Sequence, residues 1–279
     1  MHVMLSWDDL TIAEQTLMRR AISGYELAGM AQNYGAALRW SGAADAPPPR
    51  SLTEGEERAL IPQLAAVALD LAAHGLLGIH EVHDRGAAAA DRLLNGRELH
   101  EVLAEPANWL WPSNFNPRRR FELTAPQSVR EHWFDGAHPT ADTSALPTWT
   151  ELTIAQREVL VCAAEASGML TGAFGIWDDP PTDLGAAERL AWVDRQLAPL
   201  IPFVRNGWIE VYHNPDPDGG TFTVIPLENL SAAMADPAIR HEDGRDGLFV
   251  GVSCTFTYAG LAVWRGGWSS AWAARLNFD

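Results

Sequence analysis

The strongest constraint on what this chain can fold into is that it is written twice. Trp7-Asp8-Asp9-Leu10-Thr11-Ile12-Ala13-Glu14 returns as Trp149-Thr150-Glu151-Leu152-Thr153-Ile154-Ala155-Gln156, at an offset of 142. Gly78-Ile79-His80-Glu81-Val82 matches Gly207-Trp208-Ile209-Glu210-Val211 at 129, and Ala104-Glu105-Pro106-Ala107 matches Ala235-Asp236-Pro237-Ala238 at 131. Trp133 and Trp264 also differ by 131. Short motifs match by chance, but four blocks in the same order do not, so one ancestral unit is expected in tandem. The fall in offset from 142 to 129 assigns 13 extra residues to copy one before Gly78, and the Ala- and Pro-rich stretch Gly42 to Pro49 is the natural place for them. The expected boundaries are copy one at 1–136, a linker at 137–148 and copy two at 149–279.

Within each copy the local signals have a physical cause. Thr11-x-x-Glu14, Thr53-x-x-Glu56 and Thr153-x-x-Gln156 read as capping boxes, in which the hydroxyl accepts from an orphan N–H and the later side chain reaches back to the cap. The second predicts a helix over Glu56 to His74, with Leu60, Leu64, Val67 and Leu71 at helical spacing. Its counterpart is expected over Ala186 to Arg205, with Leu190, Val193, Leu197 and Ile201 on one face. Each long helix should pass through a Gly turn into a strand, Ile79 to His83 or Trp208 to His213. In copy two the turn cluster 214–220 and Thr221-Phe222-Thr223-Val224-Ile225 complete a hairpin. Short helices follow at Leu99 to Leu103 and Leu230 to Met234, then a final segment ending in Trp133 or Trp264.

Helix, connection, long helix and hairpin in that order resemble the winged helix-turn-helix domain. Phe121-Glu122-Leu123-Thr124, with Arg130 and Trp133 beyond it, is similar to the segment after the wing in winged-helix regulators, where a Leu-Thr-x-x-Gly turn starts another helix. Copy two has Phe256-Thr257-Tyr258-Ala259-Gly260 before Trp264. The resemblance implies a mainly helical α+β fold in which two tandem winged-helix-like units form a pseudo-dimer. In DNA-binding members of that family the long helix enters the major groove.

Charge argues against that use here. The 279 residues carry a formal net charge of -16, and all 20 basic residues are arginine. Both halves are acidic, at -6 for residues 1–140 (12 Arg, 18 acids) and -10 for 141–279 (8 Arg, 18 acids). Glu56 to His74 offers only Arg58 against Glu56, Glu57 and Asp70, and Ala186 to Arg205 has three Arg against Glu188 and Asp194, whereas a specific DNA binder neutralises about 6 to 10 phosphates. The run Arg118-Arg119-Arg120 reads as a solvated turn. No apolar stretch approaches the roughly 20 residues that span a bilayer, and no leader pattern opens the chain, so a cytoplasmic protein without a membrane partner is expected. Cys162 and Cys254 fit no metal spacing and read as packed thiols.

Candidate chemistry is sparse. His80-x-x-His83-Asp84 has metal-ligating residue types, but positions three apart on a strand face opposite ways. Asp216-x-Asp218-Gly219 lacks the remaining oxygens and closing Glu of a calcium loop. His74, His100 and His132 stand singly, and no nucleophile elbow, phosphate loop or Cys-x-x-Cys is present. Neither a cofactor, a metal site nor catalytic residues are expected.

Of the 12 tryptophans, Trp7/Trp149, Trp40/Trp177 and Trp133/Trp264 pair between the copies as framework, while Trp109, Trp111, Trp192, Trp208, Trp268 and Trp272 have no counterpart. The reading favoured is an acidic protein-binding module, an immunity protein or antitoxin of bacterial kind, that masks a basic, toxin-like protein. Its expected contacts are the loop carboxylates Asp178, Asp179, Asp183, Glu242, Asp243 and Asp246 and the unmatched Trp109, Trp111 and Trp208. The alternatives are a winged-helix transcriptional regulator and an enzyme with a site between the copies.

Overall fold

The computed structural model describes residues 5–82, 92–110, 119–165, 168–171, 175–178, 180–181, 183–215, 221–240 and 250–271. It is mixed α+β and mainly helical, and it divides into two compact units, Met1–His138 and Pro139–Asp279. Unit 1 runs α1 (Ile12–Ser23), β1 (Tyr25–Glu26), α2 (Met30–Ser41), α3 (Glu54–Ala73), β2 (Gly78–Val82), β3 (Arg92–Leu93), α4 (Gly96–Ala104), β4 (Arg120–Thr124) and α5 (Gln127–Ala137). Its antiparallel sheet has the order β1-β4-β2-β3. Unit 2 runs α6 (Ile154–Ala164), α7 (Ala186–Leu197), α8 (Ile201–Arg205), β5 (Ile209–Asn214), β6 (Thr223–Val224), α9 (Leu230–Ala235), α10 (Pro237–Arg240), β7 (Gly251–Phe256) and α11 (Tyr258–Val263), which continues into a π turn, Trp264–Trp268. Its sheet has the order β6-β5-β7, and a single bridge, Met169 to Ser253, lies where β1 meets β4 in unit 1.

All three capping boxes form. Thr11 and Thr53 each accept from the N–H three residues on at 3.3 Å, and Thr153 does so at 3.2 Å. In return Glu14, Glu56 and Gln156 accept from the cap N–H at 2.7, 2.7 and 3.0 Å. The 3-10 turn Trp7–Asp9 and its counterpart are held the same way, Ser6 N–H donating to Asp9 and Thr148 N–H to Glu151. Above these turns the tryptophans meet edge to face. Trp7 and Trp133 have ring centroids 6.3 Å apart at 75°, and Trp149 and Trp264 are 5.8 Å apart at 73°. Each pair joins the segment before a unit's first helix to its last one, within the unit's own apolar core.

Strand register corrects the alignment of the copies. Ile79 opposes Leu123 and its carbonyl accepts from Leu94 N–H, while Val211 opposes Cys254 and accepts from Ile225 N–H. Ile79 therefore matches Val211, an offset of 132, and the partner of Gly207 is Gly75, not Gly78. Both glycines end a helix in the left-handed region, at φ +68° and +70°, a conformation strained for any other residue. The sequence match through Gly78 slipped by three residues because Gly-Ile-x-Glu-Val and Gly-Trp-Ile-Glu-Val share letters without sharing pleat positions. Before the long helix, Leu27 N–H donates to Phe121 carbonyl as Leu170 N–H does to Val252, an offset of 143. The length difference thus falls where copy one places α2, and residues 171–185 show no helix among the described residues. Trp40, on α2, consequently does not correspond to Trp177, which sits in that connection with its backbone N–H on Leu170 carbonyl.

Three further expectations change. The hairpin strand is not the longest-paired partner in either sheet: β2 and β5 take the short strands β3 and β6 on one side and pair along their whole length with β4 and β7 on the other. The helix expected over Ala186 to Arg205 breaks after Leu197, and α8 begins with Pro202 in its first turn. The stretch 137–148 is not a free tether. Ala137 closes α5 fully buried, Ala141 N–H donates to Ala262 carbonyl, and Trp268 Nε1–H donates to Pro147 carbonyl at 3.0 Å.

Removing either repeated cap, Thr11→Ala or Thr153→Ala, should lower stability by about 1 kcal/mol in denaturant titration with an unchanged slope. Trp133→Ala and Trp264→Ala should each cost about 3–5 kcal/mol, since each leaves a cavity against its partner ring.

Candidate functional site

The face a winged helix would turn to DNA is poor in free cations. Along α3 the exposed positions include Glu54, Ala59, Pro62, Gln63, Ala66 and Asp70. Arg58, the helix's one basic residue, is bound to Glu54 four residues earlier at 2.7 Å. The other face is core, with Ile61, Leu64, Ala68 and Leu71 buried. Glu57 is buried as well, bonded by Gln32, and burial raises its pKa above the ordinary carboxylate value. Gln32 also grips Leu52 by both backbone groups at 3.0 Å, tying α2 to the start of α3.

The arginines of β3 and at the start of β4 are engaged too. Glu81, on β2 and almost wholly buried, accepts from Arg92 at 2.6 Å and from Arg119, which reaches it by two bonds. Glu98 on α4 binds Arg92 at 2.5 Å and Arg119 at 3.3 Å, so two acids and two bases close a ring across β2, β3 and α4. Bonding to Arg119 first, and then to Arg92, holds the Glu81 carboxyl down at about 2. Arg120 is paired with Glu26. The run read as a solvated turn is therefore an ion-paired edge at Arg119 and Arg120, and Arg118 lies outside the described residues. At the matching place in unit 2, β5 has His213 opposite Thr223, so the ring belongs to copy one alone.

The expected partner contacts scatter. Asp178 and Asp183 are exposed in the connection before α7. Asp179, Glu242, Asp243, Asp246 and Trp111 lie outside the described residues. Trp109 is corrected: it is 0% exposed, with Nε1–H donating to Leu103 carbonyl at 2.9 Å, and a ring with no accessible surface cannot meet a partner. Trp208 is half-buried, stacked on Phe203 at 6.3 Å and edge-on to Trp268 at 6.0 Å, which makes it packing against core rather than a free ring. His80 lies on β2, and its unit 2 counterpart by register is Tyr212. His83 and the 216–219 turn are outside the described residues. Among the described residues no group of three His, Cys, Asp or Glu side chains could hold a metal, and no helix is long and apolar enough to cross a membrane.

Among the described residues an open groove is present to which nothing in the sequence reading pointed. A groove of about 710 Å³ in unit 1 lies between the C-terminal end of α3, the strands β2 and β3, α4 and the β4–α5 turn. Leu69, Leu77, Leu93 and Leu99 give it apolar walls, and His80, His100 and Arg130 stand on it. Gly78 forms part of the floor: a Cβ there would come within 2.9 Å of Thr124 Oγ1 and 3.2 Å of Leu93 Cδ1. The signal that could have revealed it is the run of small residues Ala72, Ala73, Gly78, Gly96 and Ala125, which only the fold gathers.

No protein-family model matches the chain, and no curated protein or solved structure matches it significantly.

Glu81→Gln should cost about 1–2 kcal/mol, less than a fully buried pair because Arg92 and Arg119 are 47% and 55% exposed. Because the folded carboxyl titrates at about 2, below its unfolded value, its contribution is present above about pH 5 and fades as pH falls toward 2. Acid titration of the parent should therefore lose stability over that window more steeply than the variant.

Proposed function

We propose that this chain is an acidic protein-binding module of the immunity or antitoxin kind, two winged-helix-like units whose carboxylates mask a basic protein partner. Element order supports the winged-helix reading: in unit 1, helix, short strand, two helices and a strand pair follow one another, with β4 between β1 and β2 and with β3 and α4 inserted in the wing. The observation that carries the functional reading is the exposed face of α3. Where a DNA-reading helix presents cations and amides, this one presents Glu54, Asp70, alanines, a proline and one amide, Gln63, which donates to Tyr34 Oη at 3.3 Å, with its only arginine already paired. A net charge of -16 then favours capture of a basic protein over a polyanion.

The test joins two measurements. With random duplex DNA at low salt, no retardation is expected, and salt-sensitive retardation would overturn the proposal. Co-expression with the protein encoded by the adjacent gene should restore growth that the neighbour alone suppresses. Association with that neighbour should slow roughly tenfold or more when Asp178, Asp179, Glu242 and Asp243 are all reversed to Arg, with the effect vanishing at high salt. A neighbour that neither suppresses growth nor associates would also count against it.

A further inference from the structure

Superimposing the two copies by strand register shows what the groove in unit 1 is made of: five positions that unit 2 fills or satisfies by itself. Gly78 on the floor corresponds to Glu210, since Gly78 opposes Thr124 as Glu210 opposes Thr255. Ala125 corresponds to Phe256, which is buried and packed on Trp264 with ring centroids 5.7 Å apart. Gly96 corresponds to Leu227, which packs on the unit 2 core, and there α8 rests directly on the 3-10 turn Leu227–Asn229. Unit 2 thus carries larger side chains at three of the positions that line the opening in unit 1.

The two remaining exchanges have a chemical direction. At the start of unit 2's last helix Thr257 caps the chain, its Oγ1 accepting from Gly260 N–H at 3.1 Å. In unit 1 the matching residue is Pro126, which has no capping oxygen, so α5 opens at the groove with no side-chain cap on its N–H groups. Leu261 becomes Arg130, whose Nε–H donates to Ala125 carbonyl at 2.9 Å, holding the guanidinium over that helix start. In a chain so acidic, no carboxylate lines the groove among the described residues, and Arg130 is its one permanent cation. Room and apolar walls on one side, a guanidinium and a helix start without a side-chain cap at one end, and no opposing acid define an amphipathic monoanion.

We propose that this groove binds a small aliphatic monocarboxylic acid, its hydrocarbon chain against Leu69, Leu77, Leu93 and Leu99 and its carboxylate at Arg130 and the start of α5. A single guanidinium balances a single charge, which selects a carboxylate over a phosphate dianion. The site does not rest on the protein-partner reading, because it uses none of the acidic loops.

Calorimetric titration of the full chain with hexanoate, octanoate and decanoate, and with octan-1-ol as the uncharged probe, tests this. Saturable binding at one site is expected, tightening roughly fourfold per added methylene until the groove is filled. Octan-1-ol should bind about tenfold more weakly than octanoate, the size of one charge-assisted hydrogen bond. Arg130→Leu, which installs the unit 2 residue at an exposed position, should remove that preference while leaving the melting temperature near the parent's. Ala125→Phe should abolish binding, and if it fails to fold, Arg130→Leu decides alone. Absence of saturable binding by any of the acids, equal binding of octanol and octanoate, or full retention of the preference in Arg130→Leu would overturn the proposal.

Discussion

Each unit is closed by an edge-to-face contact between a tryptophan in the turn before its first helix and one in its last helix. Such a pair removes a large apolar area from water and adds a directional ring contact beyond that area. It also determines where the chain must return. With the last helix anchored by Trp133 or Trp264, the strand just before it, β4 or β7, is drawn alongside the strand that follows the long helix, with the early segment, β1 or the Met169 bridge, on its other side. The capped turns beneath the rings hold the first tryptophan in place through Ser6 and Asp9 or Thr148 and Glu151. Core, sheet order and chain entry thus depend on one repeated contact, which explains why those positions match between copies when most others do not.

On that common frame the copies have diverged in charge and in packing. Copy one binds many of its arginines to its own acids, in the pairs Arg50–Glu56 and Arg58–Glu54 and in the ring of Glu81, Arg92, Glu98 and Arg119. Cations held in this way order the edge β2–β3 and offer little to a phosphate backbone. Packing diverges in the opposite sense. Copy two stacks Phe203, Trp208 and Trp268 and buries Phe256, whereas copy one puts alanine and glycine at the places where its groove opens. A duplicated scaffold needs its core twice but a binding surface only once, so asymmetry between copies is where function is sought. The buried Trp109 shows the limit of that rule, since an unmatched aromatic can equally be extra packing.

The sequence by itself determined what acts over a few residues. Thr11, Thr53 and Thr153 could be read as caps because a capping box is complete within four positions, and α3 could be placed from its apolar spacing for the same reason. Duplication and net charge were equally legible, being properties of the letters alone. Tertiary structure decided what depends on register and on distant partners. Gly75 rather than Gly78 matches Gly207 because hydrogen-bond pairing with β4 and β7, far along the chain, sets the pleat. Trp109 is interior because Leu103 carbonyl and the α4 core receive it. The groove was invisible in the sequence for the same physical reason: Ala72, Gly78, Gly96, Ala125 and Arg130 are dispersed along the chain, and only folding brings their missing side chains to one place.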